Sequence, residues 1–88
     1  MIRYKNSFQA LSYDVWNRDQ LILRRALADH YMQARQTDNA IAQLDAIGEI
    51  LVEEGKKEDA IEIIQQILLL NPPNANDYRT LIQQLQAG

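Results

Sequence analysis

The sequence predicts an all-α fold, on three observations. Glycine and proline are scarce, three and two in 88 residues, so long stretches carry no helix breaker. From Leu21 onward, apolar residues recur at three- and four-residue intervals, the period of a helix face. Short polar breaks separate these stretches, and connections that short make neighbouring helices antiparallel. Helical hairpins stacked into a short superhelix satisfy this pattern, and so does a compact four-helix bundle.

Residues 1–18 are read as an N-terminal arm or short helix, and residues 19–88 as the helical domain. Phe8, Leu11 and Val15 line a short helix behind Ser7 on one reading; on the other, Tyr4, Tyr13 and Trp16 pack an extended arm. A first clear helix covers 21–35, with Leu23, Leu27, Tyr31 and Ala34 on one side and Arg24, Arg25, Asp29 and Gln33 on the other. Asp19 is placed to cap its start.

Thr37-Asp38-Asn39 opens the next helix, whose stripe is Ala40, Ile41, Leu44, Ile47 and Leu51. Gly55 ends it, since glycine takes the left-handed conformation without penalty. Glu58 and Asp59 put negative charge at the positive end of a third helix, with Ala60, Ile63, Ile64, Ile67 and Leu68 inward. Its isoleucines favour a strand, but the apolar pattern covers eleven residues and Gln65-Gln66 breaks any alternation. A buried strand is usually about four to eight residues long, so helix is expected. Asn71 stops it, because a residue before proline is pushed out of the right-handed helical region. After Pro72 and Pro73, the spacing of Tyr78, Leu81, Ile82 and Leu85 predicts a last one-faced helix over 75–87.

The motif Leu44-x-x-Ile47-Gly48-x-x-Leu51, Ala60-x-x-x-Ile64, Pro72 resembles the tetratricopeptide repeat, a helical hairpin of about 34 residues. Gly48, Ala60 and Pro72 match that pattern in identity; Leu44, Ile47, Leu51 and Ile64 match in kind. Small residues at 48 and 60 are expected to let the hairpin's helices approach closely. Thirty-four residues after Leu44 and Ile47 come Tyr78 and Leu81, the start of a following repeat. Upstream, Leu27-Ala28-x-x-Tyr31 and Ala40-x-x-x-Leu44 also fit. Ala40 and Ala60 are only 20 residues apart, so the two matches share one helix. One good repeat at about 41–74 with a half-repeat on each side is the reading. Ile67 departs from it, standing where the family keeps a small residue.

The resemblance implies a non-catalytic scaffold that holds a peptide or partner helix along a concave face. The family's clamp for a C-terminal carboxylate uses Lys and Asn there, whereas this chain has Arg25 and Asp29 in one match and Asp45 and Glu49 in the other. Asp45, Glu49 and Glu53 lie at i, i+4 and i+8, three carboxylates on one helix face. With Val52 beside them and Arg25 at one edge, they are candidates for receiving a basic peptide. The competing view is a solvated helix face.

Charge is unevenly shared. Residues 1–37 hold six basic residues against three acids, a balance of +3. Residues 38–88 hold three basic residues against nine acids, a balance of −6. Head-to-tail attraction between copies follows as an expectation. So does a homodimer whose apolar ends cap each other, since repeat arrays need covered ends. The chain can also be a piece of a longer repeat protein.

Other functions find little support. His30 is the single histidine, Ser7 and Ser12 are distant in sequence, and no nucleophile motif or glycine-rich phosphate loop occurs. His30 and Met32 are expected to pack, and no enzyme activity, cofactor or metal is expected. Nucleic acid is not an expected partner, because the net charge is −3 and phosphate binding needs a dominant positive field. Ile67–Leu70 is the longest apolar run, far short of a membrane span. With no cysteine and no secretory pattern at the start, a cytoplasmic location is the default.

Overall fold

The computed structural model describes the backbone of residues 2–87 and the side chains of residues 16–87. Four helices follow one another: α1 (Ile2–Gln33), α2 (Thr37–Glu53), α3 (Lys57–Leu69) and α4 (Ala75–Ala87). The fold is all-α, and no strand occurs among the described residues.

The first helix differs from the sequence expectation. α1 runs unbroken from Ile2, so Asp19 lies exposed inside a helix and caps nothing. The expected division between residues 18 and 19 breaks no helix, and no glycine or proline occurs before Gly48. Asn17 is in fact buried, and its amide donates to Glu54 Oε2 at 3.2 Å, tying α1 to the far end of α2. Trp16 is not packed away either: 62% of it is exposed. Tyr4, Phe8, Leu11, Tyr13 and Val15 have side chains outside the described residues.

The two hairpin turns are built alike, 20 residues apart. Gly55 sits at φ +77; its N–H donates to Val52 O at 3.0 Å, and that of Lys56 to Leu51 O at 2.9 Å. Arg35 takes the same place after α1 at φ +61, with N–H bonds to Met32 O at 3.1 Å and from Gln36 to Tyr31 O at 2.8 Å. This bond pair satisfies carbonyls that a helix end leaves open. Arg35 therefore ends α1 two residues earlier than the apolar pattern indicates, and it does so with a side chain that disfavours this conformation. α2 and α3 then start without a side-chain cap; Asp38, Glu58 and Asp59 in their first turns supply the negative charge instead.

At the third turn Asn71 is left-handed, φ +57, and donates to Leu68 O at 3.1 Å. The second bond of the hairpin pattern is missing because Pro72 has no N–H. Pro72 itself is buried.

Each hairpin buries one small residue before its turn and one after it: Ala28 and Ala40 in the first, Gly48 and Ala60 in the second. The two consecutive hairpins share α2. Around these positions Leu44, Ile47, Leu51, Ile63, Ile64 and Ile67 form the core, with Leu44 and Ile67 fully enclosed. Burial of each such side chain contributes about 1.5–3 kcal/mol. Ile67 fills its place without any small-residue requirement.

Consecutive helices pack on each other, α1 on α2, α2 on α3 and α3 on α4. Helices two apart meet only through side chains. Arg25 on α1 donates to Gln66 Oε1 on α3 at 2.9 Å, and Tyr78 on α4 reaches Asp45 on α2. α1 and α4 make no close backbone approach among the described residues.

Candidate protein-docking groove

Because alternate helices flank the one between them, α2 and α4 stand as two walls over α3. The groove between them encloses about 310 Å³. Gly48, Ile64 and Ile67 line its bottom and Val52 and Leu81 its sides, and Asp45, Glu49 and Glu53 supply carboxylates along the α2 wall. The periodicity of α2 dictates this division. Ala40, Leu44, Ile47 and Leu51 are buried in the core, while positions 45, 49, 52 and 53 turn toward α4 or solvent.

A side-chain bond crosses from α4 to α2 at the groove. The Tyr78 hydroxyl lies 2.9 Å from both oxygens of Asp45, a bond in which the phenol donates and the carboxylate accepts. Burial is the main cause that raises the Asp45 pKa above its ordinary value; the Tyr78 bond opposes the rise, and Glu49 one turn on adds to it. Burial also pushes the Tyr78 hydroxyl up to about 12, helped by the Asp45 bond and charge. The crossing is therefore a neutral phenol held on a carboxylate at ordinary pH, while Glu49 and Glu53 on the same wall are exposed.

The predicted partner-binding residues fall into two groups. Asp45, Glu49, Val52 and Glu53 come together in this groove. Arg25 and Asp29 do not join them, and Arg25 marks no edge of the acidic stripe. Both sit on α1, where Arg25 faces Asp29 at 3.7 Å and borders a separate hollow with Leu21, Ile47, Leu51, Glu62 and Gln66. The reason is the order of packing: α1 covers the side of α2 that carries Ile47 and Leu51, and the groove opens on another. His30, expected to pack, is exposed, its ring tilted 57° against Tyr31 at 5.8 Å. Met32 is half-buried.

Among the repeat-packing positions, Leu27, Tyr31 and Tyr78 are half-buried, and Ala28, Ala40, Leu44, Ile47, Gly48, Leu51, Ala60, Ile64 and Pro72 are buried. Leu81 instead borders the groove and stays 38% exposed. The close approach expected of Gly48 is not required: a methyl placed there would meet only Ile63 Cγ2, at 3.9 Å, an ordinary contact. Sequence reasoning missed the Asp45–Tyr78 bond, although its signal was present. Tyr78 stands one repeat length after Leu44, so its hydroxyl reaches the polar neighbour of that core position.

No three His, Cys, Asp or Glu side chains among the described residues converge closely enough to hold a metal ion. No helix among them is long and apolar enough to cross a membrane. Comparison with protein-family models, curated proteins and solved structures gave no match for this chain.

Proposed function

We propose that this chain is a non-catalytic protein-interaction module, a tetratricopeptide-like array that holds a segment of a partner protein in the α2–α4 groove. The observation that carries this reading is one concave site with an apolar floor and a carboxylate wall. That combination suits a segment offering apolar side chains flanked by Lys or Arg. The neighbour-only packing of the helices supports an open array over a closed bundle, and the hairpins' matching small-residue positions support repeats.

The test uses a fluorescein-labelled peptide alternating arginine and leucine, with a glutamate–leucine peptide as control. Anisotropy is expected to report binding of the first alone, weakening as salt rises. Replacing both exposed wall carboxylates, Glu49→Gln with Glu53→Gln, is expected to lower its affinity about tenfold. Asp45 is spared because it holds Tyr78. Equal binding of the two peptides, or unchanged affinity in the double variant, rules the reading out.

A further inference from the structure

The large hydrophobic residues left exposed among the described ones are Trp16, Ile22, Leu23, Val52, Leu69 and Leu81. Val52 and Leu81 line the groove, whereas on α1 Ile22 stands about 100° round the helix from the face that Trp16 and Leu23 share. The groove pair and Ile22 therefore belong to two separate surfaces.

Their charges are opposite. Ile22, 64% exposed, has Arg18 four residues before it and Arg25 three after it, both exposed and on the same helix face. The groove wall presents Asp45, Glu49 and Glu53.

The spacings agree as well. Arg18 and Arg25 are about 10.5 Å apart along the helix axis, and Asp45 and Glu53 about 12 Å, at the usual rise per residue. A helix about 10 Å across is too wide to sink into 310 Å³. It can instead ride on the rim and insert one branched side chain, as amphipathic helices do in grooves.

We propose that the α2–α4 groove takes the Arg18–Ile22–Arg25 face of α1 from a second copy of this chain. The proposal rests on the groove being a docking site. Ile22 inserts over Ile64, Ile67 and Gly48, one arginine reaches Glu53, and the other reaches Asp45 and Glu49. Arg25 gives up only exposed partners to do so, Asp29 at 3.7 Å and Gln66, and exposed pairs of this kind contribute little. Groove and α1 face are different surfaces of one chain, so each contact leaves one of each unused. Copies then add head to tail, or close as a two-fold pair in which each groove takes the other copy's α1 face.

The experiment is light scattering of the full chain over a wide concentration range, at low and high salt. Mass is expected to climb above that of the monomer with concentration and to fall as salt screens the pairs. Two charge-reversed variants sharpen it: E49K/E53K, with groove and α1 both basic, and R18E/R25E, with both acidic. All four positions are exposed, and circular dichroism checks that each variant is helical. Each variant alone is expected to associate at least about tenfold more weakly than the parent. Mixed one to one, they are expected to associate again, since each groove then meets a complementary helix. A constant monomer mass for the parent chain, or a mixture no more associated than its parts, overturns the proposal. A monomer that still binds the arginine–leucine peptide overturns only the choice of occupant and leaves the groove reading intact.

Discussion

The α2–α3 hairpin and α4 are held by different means. Between them α2 and α3 bury Ala40, Leu44, Ile47, Leu51, Ala60, Ile63, Ile64 and Ile67. α4 buries no residue at all. It leans on the core through half-buried Tyr78 and Leu85 and is tied to α2 by one side-chain bond, Tyr78 to Asp45. Close packing makes the hairpin a rigid floor, whereas α4 is a wall whose position depends on a few contacts. A groove made of both has one fixed side and one adjustable side.

The largest effect separates the two regions outright. Leu44 is fully enclosed in the hairpin, so Leu44→Ala is expected to cost about 3 kcal/mol, from lost transfer energy plus a cavity. Leu81→Ala, on partly exposed α4, is expected to cost about 1 kcal/mol. Urea denaturation of both variants reads the difference. Equal losses would mean that α4 is as firmly held as the hairpin and would remove the contrast.

This contrast was partly legible in the sequence. The stripes of α2 and α3 name the core because their apolar residues follow the helical period without competition. α4 has the same period, yet it buries nothing, since it has a neighbour on one side only; periodicity reports which face is apolar and says nothing of what covers it. Asp45, Glu49 and Glu53 were legible as a stripe for the same reason. Arg25 was misplaced because spacing within one helix cannot tell which flank of α2 the preceding helix covers. The unbroken length of α1 was hidden by a polar run that the helix tolerates, with Asn17 satisfied by Glu54, a partner 37 residues away.

An intermediate effect isolates the latch. Tyr78→Phe keeps the ring and removes the donor from partly buried Asp45, for an expected cost of about 1–2 kcal/mol. The loss belongs to α4: amide exchange is expected to quicken there while α2 and α3 keep their protection. Uniform quickening along the chain would contradict a local latch.

The latch also has a pH signature. The folded state raises the Tyr78 pKa from 10.0 to about 12, so it holds that proton more tightly than the unfolded chain. The stabilisation is full below pH 10.0 and is lost as pH rises through about 12. Asp45, also raised above its ordinary 3.8, acts with the same sign at the acid end: its contribution is greatest below 3.8 and is lost as pH rises through its folded value. The Tyr78 ring signal followed by NMR checks the alkaline window. Ionisation at its ordinary value would mean that the phenol is not held on Asp45.

The smallest effect acts where the two regions meet. Gly48 belongs to the hairpin by its burial and to the groove by its position at the bottom. Glycine inside a helix is destabilising by roughly 0.5–1 kcal/mol relative to alanine, and the added methyl meets Ile63 at an ordinary distance. Gly48→Ala is therefore expected to raise stability by about 0.5–1 kcal/mol. Gly48 also lines the groove, so the same methyl reduces the space for an inserted side chain, and affinity for the arginine–leucine peptide is expected to fall while the thermal midpoint rises. Opposed signs in the two measurements would tie this glycine to the groove, since the hairpin alone would be better served by alanine. A variant that gains stability and loses no affinity would place the bound side chain away from Gly48, nearer Val52 and Leu81.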